Sequence, residues 1–136
     1  MHQSITIVGN LGQAPEMRYL ATGQAVTNFS VAVNRKWTDP SSDELREEVT
    51  WFRVSVWGKQ AEACNQYLDK GRQVLIEGRL RPDPNTGGPQ IFTRQDGSAG
   101  ASFEVVASRV LFLGGNGNGN GRNESEPTYQ EDQIPF

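Results

Sequence analysis

Residues Glu48–Asp69 read EVTWFRVSVWGKQAEACNQYLD, and a change of period halfway along them decides the fold. Up to Trp57 the residues alternate, so Thr50, Phe52, Val54 and Val56 form one face of a strand while Trp51, Arg53, Ser55 and Trp57 form the other. Gly58 ends that strand. From Lys59 the apolar residues Ala61, Cys64, Tyr67 and Leu68 recur at helical spacing until Lys70-Gly71 supplies a stop. The helix is short and apolar on one side only, which suits a plug at the end of a sheet. One face of the strand is core material. The other sets two indoles about 20 Å apart at ~3.3 Å per residue, with a guanidinium between them, a platform for flat, negatively charged ligands. The competing reading is that these tryptophans pack a core or an interface, where strand tryptophans commonly lie.

Working outward, Ala25–Asn34 (AVTNFSVAVN) alternates with Phe29, Val31 and Val33 as its apolar set, and Arg35-Lys36-Trp37 carries it into a hairpin tip that returns to the Trp51 strand. Trp37 shares parity with Phe29 and Val33, which would turn it inward. The two cations before it and the hairpin tip beyond predict a bend or bulge near Arg35 that turns it outward. Ser4–Asn10 is a further strand, followed by turn signals at Gly12 and Pro15, a short extended piece at Met17–Leu20 and a turn at Thr22-Gly23. After the helix, Gln73–Arg81 sets Val74, Ile76, Gly78 and Leu80 on one face and Leu75, Glu77, Arg79 and Arg81 on the other. Pro82–Ala101 is a long, partly ordered hairpin rich in Pro and Gly, with a tight-turn signal at Asp96-Gly97 and one aromatic, Phe92. Ser102–Leu113 is the last strand. The predicted fold is all-β, a five-stranded Greek-key barrel of the oligonucleotide- and oligosaccharide-binding (OB) type with one short helix between strands 3 and 4. An immunoglobulin-like sandwich would want about seven strands and no such helix.

A chain of 136 residues with 35% hydrophobic content suits one globular domain. The formal net charge of −3 is not spread along it. Residues 1–113 hold twelve Lys or Arg and twelve Asp or Glu, so the whole excess belongs to 114–136, and a neutral body still accommodates a basic face. Cys64 is the single cysteine, so no intrachain disulfide forms, in keeping with a reducing cytoplasm, and a small buried apolar role suits it. No apolar run spans a bilayer and no signal peptide opens the chain, so a cytoplasmic protein is expected. His2 is the only histidine and sits at the N-terminus, which leaves no Ser–His–Asp or Cys–His set and no zinc set. No GxxxxGK phosphate loop occurs, and no paired carboxylates stand out. The chain reads as a non-enzyme without metal or cofactor.

After Leu113 the composition turns to GGNGNGNGRNESEPTYQEDQIPF. The division is a barrel over 1–113, a flexible Gly/Asn-rich linker over 114–128 and an acidic-hydrophobic tip over 129–136. Ile134, Pro135 and Phe136 close the chain just after Glu131 and Asp132, an arrangement that suits a bait peptide whose ring and terminal carboxylate enter a partner pocket with a basic rim.

The stretches IVGNLGQAPEMRY (Ile7–Tyr19), VTNFSVAVNRKW (Val26–Trp37), TWFRVSVWGKQAE (Thr50–Glu62), YLDKGRQVLIEGRLR (Tyr67–Arg81) and the closing IPF resemble, in this order, the bacterial single-stranded-DNA-binding proteins of replication and repair. The resemblance implies sequence-independent binding and protection of single-stranded DNA, with bases stacked on Trp37, Trp51 and Trp57, the last standing where some relatives have Phe. It implies phosphate contacts from Arg35, Lys36, Arg53, Lys59, Arg79 and Arg81, and from Arg72 and Arg94. In the hairpin after the fourth strand, where relatives carry a stacking tryptophan, only Phe92 is available. The tip resembles one that recruits replication, recombination and repair proteins, although EDQIPF is less acidic than in many relatives. A homotetramer on the nucleoid is implied as well. Two other readings stay open on the residues alone: an oligosaccharide-binding barrel, and an assembly hub whose tryptophans lie in a subunit interface.

Overall fold

Alternating β-branched and aromatic residues do form the strands that period two predicts. The computed structural model describes residues 1–114, and the linker and tip lie outside the described residues apart from Gly114. The strands are β1 (Ile5–Leu11), β2 (Glu16–Tyr19), β3 (Ala25–Thr38) and β4 (Leu45–Trp57). Helix α1 (Lys59–Tyr67) follows, then β5 (Gln73–Leu80), β6 (Gln90–Thr93) and β7 (Ala99–Leu113). Strands β1, β3, β4, β5 and β7 close a barrel in which every neighbouring pair is antiparallel except β4–β7. That parallel pair is what a Greek-key return from β5 to β7 produces, and the architecture is the predicted OB barrel with its helix between the third and fourth barrel strands. β2 and β6 are short additions on the outer edges, paired with β3 and β7.

Inward-pointing Ile7, Leu11, Phe29, Val31, Val54, Val56, Val74, Ile76 and Val105 fill the barrel. Ala61, Cys64 and Leu68 from the helical segment close one end of it. Thr27 Oγ1, fully buried, donates 2.7 Å to the Ala61 carbonyl and pins the helix to β3. Burial pushes the Cys64 thiol up to about 12, so the nucleophilic thiolate is scarce at neutral pH. The native protein is therefore expected to resist alkylation at pH 8 and to react fully once unfolded. Rapid labelling of folded protein by a maleimide would contradict that burial.

Closure depends on a close approach of β1 and β3, which pair only at Asn10–Ala32 and Leu11–Val31. Gly9 makes the approach possible, since a Cβ there would run into the Ala32 carbonyl oxygen and stand 2.7 Å from Val31 Cγ1. β5 and β7 slip register between Glu77 and Gly78, a bulge that tightens the barrel's bend.

Two expectations need correcting. The bend near Arg35 is absent, because β3 and β4 stay in unbroken register from Val26–Trp57 out to Thr38–Leu45. Trp37 escapes the core for another reason: the ribbon projects past the barrel, and beyond Val33 there is no interior left to face. The hairpin after β5 is also better built than its composition suggests. Asp83 is 8% exposed and accepts from the Asn85 N–H at 2.7 Å and the Ile91 N–H at 3.4 Å, folding Pro82–Pro89 around one carboxylate.

Candidate nucleic-acid interface

Residues directly opposite in a sheet share a face, so register decides which side chains meet. On the barrel's outer surface Ser30 stands beside Arg53 and Arg53 beside Glu104, while Asn28, Ser55, Val106 and Arg79 make the next row across β3, β4, β7 and β5. Arg81 donates its backbone N–H to the Glu104 carbonyl and so continues the first row. Alternation along β4 adds Trp51 and Trp57 to this face, and the pairing of β6 with β7 adds Phe92 opposite Gly100. The outcome is an open groove of about 430 Å³ lined by Trp51, Arg53, Phe92, Ser30, Ser102 and Glu104. Trp51 is 53% exposed and Phe92 44% exposed, so both rings are available to a ligand. Trp57 is half-buried farther along the same face.

The cations divide by what they already touch. Arg53, Arg79, Arg81, Lys36 and Lys59 are exposed and make no ion pair among the described residues. Arg35 reaches Glu48 at 3.4 Å and lies over the Trp37 ring with 4.3 Å to its centroid. Arg94 donates to the Ala99 carbonyl at 2.6 Å and sits 5.6 Å from the Phe92 centroid. Arg72 is half-buried and donates to the carbonyls of Tyr67 (3.1 Å) and Gly114 (3.3 Å), so it ties the end of α1 to the end of β7. Its sequence neighbours show no such engagement in advance, because it arises from three separate segments meeting.

Trp37 does not join the other two tryptophans. It pairs with Arg46 on the opposite side of the β3–β4 ribbon from Trp51, sharing its side with Arg35 and Glu48. Sequence reading also missed Ser30, Ser102 and Glu104 as groove residues. Parity within Ser102–Leu113 carries Glu104's face, but only the parallel β4–β7 pairing sets it beside Arg53. Among the described residues, no group of three His, Cys, Asp or Glu side chains stands close enough to hold a metal ion.

A profile of the Single-strand binding protein family matches residues 2–113, which is the whole barrel. The chain belongs to that family. A Plasmodium falciparum SSB, solved in complex with ssDNA, is similar to this family member at 25% identity and a TM-score of 0.69, with 84% of this chain and 97% of that one covered. A small single-stranded DNA-binding protein from Streptomyces coelicolor shares the fold at 23% identity and a TM-score of 0.67, covering 81% and 93% of the two chains. Family membership accounts for the barrel topology. The side chains of the groove are argued from the geometry above.

Proposed function

We propose that this chain binds single-stranded DNA without reading its sequence, by stacking bases on Trp51, Trp57 and Phe92 while Arg53, Arg79 and Arg81 meet phosphates. The observation that carries the reading is the juxtaposition of Trp51, Phe92 and Arg53 in one open groove on the face that also bears Arg79 and Arg81. Every base has a π face, so stacking tolerates any sequence, and flexible single strands alone present unstacked bases. Lys36 and Arg94 extend the cationic surface, and Lys59 adds charge at the start of α1. Trp37 with Arg35 forms a second platform on the reverse of the ribbon, which a strand reaches by wrapping around the projecting hairpin. Glu104 opposes polyanion binding locally and holds the groove floor polar. Arg72 contributes mainly through the carbonyls it ties together.

Assembly into a homotetramer is part of the same reading. It rests on the family resemblance, since in the outer row Val8–Leu75–Leu111 across β1, β5 and β7 Leu75 is already fully buried within the chain and Val8 and Leu111 are half-buried. Solution molar mass tests it. No described helix is long and apolar enough to cross a membrane, and the protein is read as cytoplasmic, acting on the nucleoid. Residues Glu131, Asp132, Ile134, Pro135 and Phe136 are read as the recruiting tip for replication, recombination and repair proteins, on the strength of their composition.

Titration with poly-dT at several salt concentrations tests the central claim. Tryptophan quenching is expected, with log affinity falling against log salt by about 0.7 per phosphate neutralised, or roughly 2 for the three groove-face arginines alone. Quenching without salt dependence would favour a sugar-binding barrel, and no quenching would sink the DNA reading. Deleting residues 131–136 is expected to leave DNA affinity intact or slightly raised, since acids are removed, while capture of partner enzymes is lost.

A further inference from the structure

Two of the rings lining the groove, Trp51 and Phe92, each lie against a glycine. An added Cβ on Gly12 would come within 2.7 Å of Trp51 Cζ3 and 2.8 Å of Cη2, while the next ring atom, Cε3, is 3.9 Å away. A Cβ over the ring face would meet neighbouring ring atoms at more similar distances, so the approach is to the distal edge of the six-membered ring. Gly12 therefore stops the indole at its rim and leaves its faces open. The backbone there does not itself demand glycine, since Gly12 lies outside the positive-φ region and its N–H donates 3.0 Å to the Ser30 carbonyl. On the other side of the groove, a Cβ on Gly100 would stand 2.6 Å from both Cε1 and Cζ of Phe92 and 2.8 Å from an Arg94 guanidinium nitrogen. Gly100 is buried under that ring and likewise has no positive φ.

We infer that Gly12 and Gly100 are positioning residues for DNA binding: they hold the Trp51 and Phe92 rings down on the sheet, so that the rings border a common cleft instead of swinging into solvent. The inference rests on the groove being the DNA site. Its physical basis is that an exposed ring on a flexible χ angle loses rotational freedom on stacking with a base, whereas a ring already held at its rim has less to lose. A methyl group at either glycine costs little backbone energy; at Gly12 its three nearest atoms all belong to the indole, whereas at Gly100 it meets the Arg94 guanidinium as well as the ring.

The test uses the full chain and dT oligomers. Gly12→Ala is expected to weaken binding by a few-fold to about tenfold, and by less than Trp51→Ala measured under the same conditions. In a Trp51→Ala background the same substitution is expected to change nothing, because the ring it displaces is gone. Gly100→Ala paired with Phe92→Ala should behave the same way once both are made in an Arg94→Ala background, which removes the methyl's other contact, and that pair remains informative if Gly12→Ala proves unstable. A readout independent of DNA comes from a protein with Trp37→Phe and Trp57→Phe, leaving Trp51 as sole reporter. There Gly12→Ala should shift its emission and raise its quenching by acrylamide. Unchanged affinity and emission, or equal losses with and without the ring, would overturn the inference. If the parent protein binds no DNA, the binding reading fails while the emission shift still reports whether Gly12 holds the indole.

Discussion

Trp51→Ala is expected to weaken single-stranded DNA binding by roughly 5- to 150-fold, with the loss similar for dT, dC and mixed sequences. The magnitude is the range known from single-strand binding proteins themselves, about 1–3 kcal/mol per stacked base. Trp51 is more than half exposed and stands in the groove beside Arg53, so its removal takes away a stacking surface without opening the core. The thermal midpoint should stay near that of the parent. A variant that unfolds, or one that keeps full affinity, would show that the indole serves the fold or a subunit contact instead.

The largest expected effect on the fold is that of Gly9→Val. Its branched side chain would have to displace the Ala32 carbonyl, a backbone group, and Val31, which is fully buried. Overpacking inside a tight core typically costs about 1–3 kcal/mol, and here the obstacle is main chain at the two-pair seam that closes β1 on β3, so at least about 3 kcal/mol is expected. That corresponds to a fall in Tm on the order of 10 °C or more for a domain of this size. Circular dichroism melts read it directly, and an unshifted midpoint would mean that the seam does not hold the barrel shut.

Most of the barrel is legible in the residues because strand alternation and helical spacing are local signals. β3, β4, β5 and β7 emerge at nearly their observed bounds, and the switch of period after Gly58 locates α1 between the third and fourth barrel strands. Trp37 marks where that logic stops. Parity says which side of a strand a residue occupies, but not how far along the strand the core extends. No bulge is needed to turn Trp37 outward, because an overlong ribbon suffices. Arg72 shows a second limit. Its charge is visible in sequence, whereas its attachment to the carbonyls of Tyr67 and Gly114 depends on α1 and β7 ending side by side.

For Trp51, Arg53 and Trp57, the sequence by itself determined a common face, since period two places alternate residues on one side whatever the fold. What only the tertiary structure decided is their company. The parallel pairing of β4 with β7 brings Glu104 beside Arg53, the β6–β7 hairpin brings Phe92 across from Trp51, and the turn after β1 sets Gly12 at the indole's rim. Those contacts join segments about forty to fifty residues apart, and no local periodicity encodes which distant residue a side chain will meet.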